Sequence, residues 1–338
     1  MTLLLLSGCA AKETPVAVRM ANALPAVTVQ ASGETEAVAT ANADAADDPA
    51  IWRNAAKPAE SLIVGTDKKA GLYVYGLDGK VRDFHDAGRV NNVALAEHDG
   101  RIIVAASDRN DPLNAQVALF TLDPASAKLT ALGRVAAGPG EAYGICLYRA
   151  PTALYAFMVA KDGTIRQLAL DVAGPTPKAV IVRTMKLATQ SEGCVVDPRS
   201  ARLYVAEEDV GLWRFDARAD GPVEPVKIAA ADGRQIVADA EGVAIAQEGD
   251  DGYLVVSSQG DNAYAVYRLA DDRYVGRYRI APGTLGSTEE TDGIEIATGD
   301  FGPAFPDGIM IAQDGVNPPR AQNFKLVRWG QIKAALGL

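Results

Sequence analysis

The sequence predicts an all-β chain folded as a single six-bladed β-propeller, and three observations support that reading. A unit of strand, polar turn and strand occurs six times along the 338 residues, at a spacing of roughly 40 to 55 residues. Within the units, apolar and polar residues alternate with period two, as in Gly71-Leu-Tyr-Val-Tyr75 and Gly211-Leu-Trp-Arg-Phe215. The 32 glycines and 18 prolines suit many short strands joined by turns better than long helices. Helical periodicity is confined to Gln331–Leu338, and a stacked double β-sandwich is the structural alternative.

Taken in order, the chain opens on a short apolar run ending in Leu6-Ser7-Gly8-Cys9, which resembles a bacterial lipobox. The run is too short to span a bilayer and has no basic residue before it. Residues 1–9 are therefore expected to be a short lipoprotein-type signal peptide with Cys9 lipidated, residues 10–25 a tether, and 26–338 the propeller domain. Ala26-Val-Thr-Val-Gln30 is expected to form a strand that pairs with the last blade and closes the ring. The six units follow as Ser61–Val64 with Gly71–Tyr75, Arg101–Ala105 with Val117–Phe120, and Ala153–Phe157 with Thr164–Leu168. The remaining three are Arg202–Ala206 with Gly211–Phe215, Gly252–Val256 with Tyr264–Tyr267, and Gly308–Ala312 with Phe324–Val327.

The formal charge is −10, from 33 basic and 43 acidic side chains. That balance argues against nucleic acid and anionic membrane surfaces as partners. Export implies an oxidising compartment, where Cys146 and Cys194 are compatible either with a disulfide or with two buried thiols.

The distinctive residues sit at strand ends. Asp44-Ala-Ala-Asp-Asp-Pro-Ala-Ile-Trp52 places three aspartates within five residues, and the segment is fixed by Pro49 and Trp52. The turns inside the units carry Asp67-Lys-Lys69, Asp108-Arg-Asn110, Lys161-Asp162, Glu207-Glu-Asp209, Gln259-Gly-Asp261 and Gln313-Asp-Gly315. A second set precedes the units: Asn91-Asn92, Glu141-Ala-Tyr143, Ser191-Glu-Gly193, Asp239-Ala-Glu-Gly242 and Glu290-Thr-Asp-Gly293. In a propeller these meet at one end of the axis. Clustered carboxylates repel one another by several kcal/mol in a partly desolvated site, at an order-of-magnitude estimate. A hard cation relieves that repulsion, and Ca2+ takes about six to eight oxygen ligands. With His85 and His98 as the only histidines, zinc and copper are poor matches. Lysines and an arginine among the carboxylates suit phosphate. No motif of a covalent phosphatase and no Gly-x-Ser-x-Gly elbow is present, which favours direct attack by metal-bound water.

Several segments in order, among them Gly33-Glu-Thr-Glu36, Asp44–Trp52, Lys68-Lys69, Asn91-Asn-Val93, Glu141-Ala-Tyr-Gly144, Glu192-Gly193 and Tyr204–Asp209, resemble the β-propeller phytases. Ala231-Asp-Gly-Arg234, Glu241-Gly242, Ser257-Ser-Gln-Gly260, Thr291-Asp-Gly293, Ala312–Gly315 and Gln322-Asn-Phe-Lys325 extend the match, which runs from about Gly33 to Trp329. These are calcium-dependent alkaline phosphatases acting on myo-inositol hexakisphosphate. The resemblance implies several calcium ions, structural and catalytic, and calcium phytate as substrate. It implies that Asp47, Tyr143, Glu192, Glu208, Asp239, Glu241 and Gln259, with Glu34, hold the catalytic ions. Asp48 with the Pro49 carbonyl, and the region of Asp292, Asp314 and Asn317, are implied to hold structural ions. Lys68, Lys69, Arg109 and Lys161 are implied to bind phosphates in two adjacent subsites, with Tyr143, Lys161, Glu192 and Glu241 at the reacting centre. The chain departs from the family at Ala94, where an Asp often follows Asn-Asn-Val, and in its lipobox. A 3-phytase-type enzyme is thus expected: a monomer, exported by a bacterium, and either a lipoprotein of the envelope (outer membrane or periplasm) or secreted. A non-catalytic calcium-binding propeller for phosphorylated ligands and a lactonase- or phosphodiesterase-type propeller are the alternatives.

Overall fold

The structure, a computed structural model, describes residues 14–338. The signal peptide expected over residues 1–9, with Cys9, lies outside them. No described helix is long and apolar enough to cross a membrane.

Six sheets are arranged as the blades of a propeller. Blade 1 is built from Ala46–Trp52, Leu62–Asp67, Gly71–Gly76 and Val81–Asp86, from the axis outward. Blade 2 spans Val90–Pro139, blade 3 Ala142–Lys186 and blade 4 Ser191–Ala230, each with four antiparallel strands. Blade 5 runs over Ala240–Ile280 and blade 6 over Ile294–Arg328. The strands read from the sequence are the second and third of each blade.

Those strands are apolar because both of their faces are covered. In blade 2, Ile102, Val104 and Ala106 pack toward blade 1, whereas Ile103 and Ala105 pack toward blade 3. The core is accordingly six clusters, one in each gap between neighbouring blades, including the gap between blades 6 and 1. Burial on both faces is worth roughly 1.5 to 3 kcal/mol per large aliphatic side chain. Cys146 and Cys194 form a disulfide, with Cα atoms 5.7 Å apart, that joins the innermost strands of blades 3 and 4.

Ring closure differs from the expectation. Val27–Val29 adds a fifth strand, parallel to Tyr274–Ile280 of blade 5. Gly33–Glu34 supplies the missing fourth strand of blade 6, antiparallel to Asn323–Arg328. The tether is also partly ordered: Val16–Asn22 is an α-helix, preceded by Pro15, whose fixed φ suits a helix start. It docks on the turn Gln259–Asp261, where the Arg19 guanidinium donates to the Gly260 carbonyl. Leu24 then holds the segment down, donating to the Arg234 carbonyl at 2.9 Å and accepting from Arg277 Nη1 at 3.0 Å. The final helix runs over Trp329–Leu336, two residues earlier than expected, and stops at Gly337 in the left-handed region (φ 75°).

At the closing strand, Lys325 is fully buried, and its Nζ lies 2.7 Å from Glu34 Oε2, 3.2 Å from Asp314 Oδ2 and 3.3 Å from Asn317 Oδ1. Arg320 holds the outer side of Glu34 with two bonds of 2.8 and 2.9 Å. Lys325→Met keeps the volume and strips Glu34 and Asp314 of their buried cation. The loss expected is about 3 to 5 kcal/mol, the usual cost of breaking a buried pair. It is read as a lower urea midpoint with an unchanged slope.

Candidate active site

The site is built from two backbone positions repeated around the ring. The first lies on the innermost strands. In blade 1, Ala46 pairs with Asp67 but Pro49 with Gly65, so one extra residue is squeezed in. The same bulge falls between Val90 and Val93, Ala142 and Gly144, Ser191 and Cys194, and Ala240 and Val243. A bulge re-aims side chains locally. The residues at this position are Asp47, Asn91, Tyr143, Glu192 and Glu241, and Asp292 stands at the start of blade 6. The second position is the first residue after each second strand: Lys68, Arg109, Lys161, Glu208, Gln259 and Gly315.

One backbone hydrogen bond ties the two positions together. The amides of Lys68, Arg109, Lys161, Glu208 and Gln259 donate to the carbonyls of Ala45, Arg89, Glu141, Gln190 and Asp239, at 2.7 to 3.1 Å. Each acceptor stands two residues before the bulge residue of its own blade. In blade 6 the Gly315 amide donates to Glu289 at 2.8 Å.

Glycine follows the bulge residue in blades 3, 4 and 5, and follows Asp292 in blade 6, because the neighbouring blade leaves no room for a side chain. A Cβ on Gly193 would lie 2.3 Å from the Glu241 carbonyl oxygen, and one on Gly293 would lie 2.5 Å from that of Asp47. Blades 1 and 2 carry Asp48 and Asn92 there instead. Asp48 Oδ2 accepts from the Val93 amide at 3.0 Å and faces a channel cavity of about 180 Å3 that Glu295 also lines. Burial pushes Asp48 well above its ordinary value, and Glu295 up to about 8. Asp48 and Asp47 are adjacent in sequence yet belong to different rooms of the axis.

At the mouth, one carboxylate oxygen each of Glu192, Glu208 and Glu241 lies within 4.8 Å of the others. Lys68 Nζ reaches Asp44 Oδ2, Asp47 Oδ1 and Asp292 Oδ2, each at 2.8 Å. Asp292 also accepts from Gln259 Nε2 at 2.7 Å, so it belongs to the central group. Asn91 donates to Glu192 Oε1 at 2.8 Å and accepts from the Arg109 guanidinium. Tyr143 is flanked by Lys161, whose Nζ is 5.1 Å from the ring centre, and by Arg109 at 5.7 Å. Its hydroxyl accepts from Gln190 Nε2 at 3.3 Å. Lys69 is exposed, and Asp239 is half-buried beside Glu208 and Glu241.

Burial first, and neighbouring carboxylates second, push Glu192 and Glu241 well above the ordinary carboxylate range. Burial raises Asp292 and, to about 7, Glu208. Burial and the same acids raise Tyr143, so its phenol stays protonated. Three buried oxygens, Asp47 Oδ2, Glu208 Oε1 and Glu241 Oε2, have no hydrogen-bond partner among the described residues. Unsatisfied buried carboxylate oxygens are costly. An all-oxygen donor set with buried oxygens short of partners fits a hard cation.

Glu34 does not join this cluster. It is held by Arg320 and Lys325 at the ring closure, and those bonds bring its carboxyl down to about 2 against the opposing effect of burial. The oxygens of Asp314 and Asn317 also converge there, on the Lys325 ammonium. Asp44, Asn91, Gln190 and Glu295 are contacts that the sequence reading left out of the site. Asp44 and Asn91 lie inside the strand-end segments Asp44–Trp52 and Asn91-Asn92, whereas no local pattern marks Gln190 and Glu295.

A sequence model of the family described as Phytase matches residues 1–338. The chain is also similar to a 3-phytase of Bacillus subtilis (strain 168), 38% identical in an alignment 331 positions long that covers 91% of this chain and 85% of that protein. Two rings of acidic and basic side chains at one mouth of a six-bladed propeller, together with these matches, lead to one assignment: the chain belongs to the phytase family.

Proposed function

We propose that this chain is a 3-phytase-type phosphoric monoester hydrolase that releases inorganic phosphate from myo-inositol hexakisphosphate with calcium bound at the mouth. The family match and the curated 3-phytase relative support the substrate. The observation that carries the reading is the juxtaposition at the mouth. Glu192, Glu208 and Glu241 converge within 4.8 Å, with Lys161 and Arg109 over Tyr143 beside them.

Asp47, Glu192, Glu208, Glu241, Asp292, Gln259, Asp239 and Tyr143 would hold the ions at the mouth, and Asp48 with the Pro49 carbonyl would hold one in the channel. Calcium supplies charge neutralisation, Lewis acidity toward phosphoryl oxygens and activation of water. The chain supplies position and complementary charge. A phosphate monoester carries about −1.5 to −2 charges near neutral pH. Arg109 offers a planar fork to two of its oxygens, and Lys161 offers a point charge. Asn91 fixes the Arg109 plane by accepting from it while donating to Glu192. Gln190 donates to the Tyr143 oxygen, so the phenolic proton is left to be donated into the mouth, toward a phosphoryl oxygen. Charge spreading onto the equatorial oxygens in the transition state is then met by fixed donors. Lys68, bound to three carboxylates, also sets the geometry of the acidic side, and Lys69 lies exposed at its rim.

We also propose that the protein works outside the cytoplasm as a monomer, either as an envelope lipoprotein attached through Cys9 or in secreted form. The Cys146–Cys194 disulfide supports an oxidising compartment.

Phosphate release from calcium phytate near neutral pH tests the reading. Wild type releases phosphate, and a chelator abolishes the release. Glu192→Gln and Lys161→Ala each lower kcat/KM by at least about a hundredfold, the range for losing one electrostatic contact to a transition state, while the fold is retained. Chelator-insensitive release, or full activity in both variants, would overturn the site.

Stability gives an independent check. Carboxylates whose folded-state pKa is raised favour the folded state only while protonated. Their stabilising contribution is present below the ordinary 4.5 and is lost as pH rises through about 7 for Glu208. With chelator present, the thermal midpoint therefore falls from about pH 5 to pH 8. Calcium, which competes with those protons, restores it at the upper end.

A further inference from the structure

The two rings are electrically lopsided. The turn positions of blades 1, 2 and 3 carry Lys68, Arg109 and Lys161, whereas those of blades 4, 5 and 6 carry Glu208, Gln259 and Gly315. A substrate with phosphates spread around a ring would thus meet, among the described turn residues, basic side chains on the side of blades 1 to 3. On the other half lies a cavity of about 260 Å3, lined by Gln259, Asp292, Asp239 and Gly315 among others. Among the described residues, the basic side chain lining it is Arg19, which comes from outside the propeller, on the helix Val16–Asn22.

The segment is built to hold Arg19 there. Leu24 is pinned by Arg234 and by Arg277, and Arg277 is itself fully buried against Asp261 at 2.5 Å. Asp261 belongs to the same short turn as Gln259 and Gly260, onto which the helix docks. The Arg19 guanidinium donates to the carbonyls of Gly260 and, at 2.9 Å, Thr14. Those bonds fix the plane of a half-buried guanidinium at the cavity wall.

We propose that Arg19 and this cavity form a further phosphate subsite. It takes a second phosphomonoester group of a polyphosphorylated substrate on the side of the mouth opposite Arg109 and Lys161. The inference rests on the phosphatase reading above, because the carboxylates Asp44, Asp239, Glu290 and Asp292 on the same walls admit a phosphate only when calcium neutralises them. Arg19 touches a non-reacting phosphate, so its contribution is to binding and to the choice of substrate.

The test is steady-state kinetics with calcium, comparing phytate with a monophosphate, p-nitrophenyl phosphate, for wild type, Arg19→Ala and Arg19→Lys. Arg19→Ala raises KM for phytate about tenfold, equivalent to about 1.4 kcal/mol, with kcat changed less than twofold. The preference for phytate over the monophosphate, as the ratio of kcat/KM values, falls by a similar factor. Arg19→Lys recovers part of it. An unchanged or lowered KM overturns the subsite. So does an equal loss on both substrates, which would mean that Arg19 acts through the turn at Gln259. If wild type releases no phosphate, the hydrolase reading fails by itself. Equilibrium binding of phytate to the calcium-loaded protein then decides: weaker binding by Arg19→Ala sustains the subsite, and equal binding ends it.

Discussion

In blades 1 to 5 the amide after the second strand donates to a carbonyl two residues before the bulge on the strand beside it, and that bond sets the spacing of the side chains at the mouth. It fixes one side chain on the turn and one on the innermost strand at a constant offset, five times around the axis. The bulge turns the inner side chain toward the opening, and the glycine that follows lets the next blade close in. With the scaffold this regular, the chemistry depends only on which residue stands at each position. Blades 1 to 3 use the turn position for cations, and blades 3 to 5 use the bulge position for Tyr143, Glu192 and Glu241. Acids and bases meet at the mouth because the two positions are chosen independently.

Two clusters of acids in this molecule are treated in opposite ways. At the ring closure, Glu34, Asp314 and Asn317 surround the buried ammonium of Lys325, so the cation there is a covalent part of the chain and the closing strand is held by its ion pairs. At the mouth, Lys68 pairs with Asp44, Asp47 and Asp292, but oxygens of Asp47, Glu208 and Glu241 remain buried without partners among the described residues. An acid cluster left short of positive charge is unfavourable for folding and favourable for binding. The contrast argues that the mouth is kept underneutralised for an ion and a substrate, while the closure is not.

The fold was legible because the second and third strands are buried on both faces and so read as unbroken apolar runs. The turn residues Lys68, Arg109, Lys161, Glu208 and Gln259 were legible for the same reason: each is where such a run stops. The innermost strands were not recognised as strands. Their Asp, Asn, Gly and Glu residues disfavour strands locally, and only neighbouring blades make the conformation worthwhile. Asp47, Tyr143, Glu192 and Glu241 were therefore placed by family resemblance, and the structure supplies the reason they stand where they do. Glu34 was misplaced because its partners, Arg320 and Lys325, lie 286 and 291 positions away and nothing near it in sequence marks them. The helix at Val16–Asn22 was missed because it carries no buried residue and takes its order from a turn more than two hundred residues downstream.

The central claim is that the carboxylates at the mouth form a cation site whose occupant displaces protons. Calcium titration calorimetry near neutral pH, in two buffers of different ionisation enthalpy, measures both properties at once. The account predicts calcium binding accompanied by proton release, with binding weakened and proton release reduced in Glu241→Gln. Binding with no proton exchange, or identical titrations for wild type and Glu241→Gln, would contradict it.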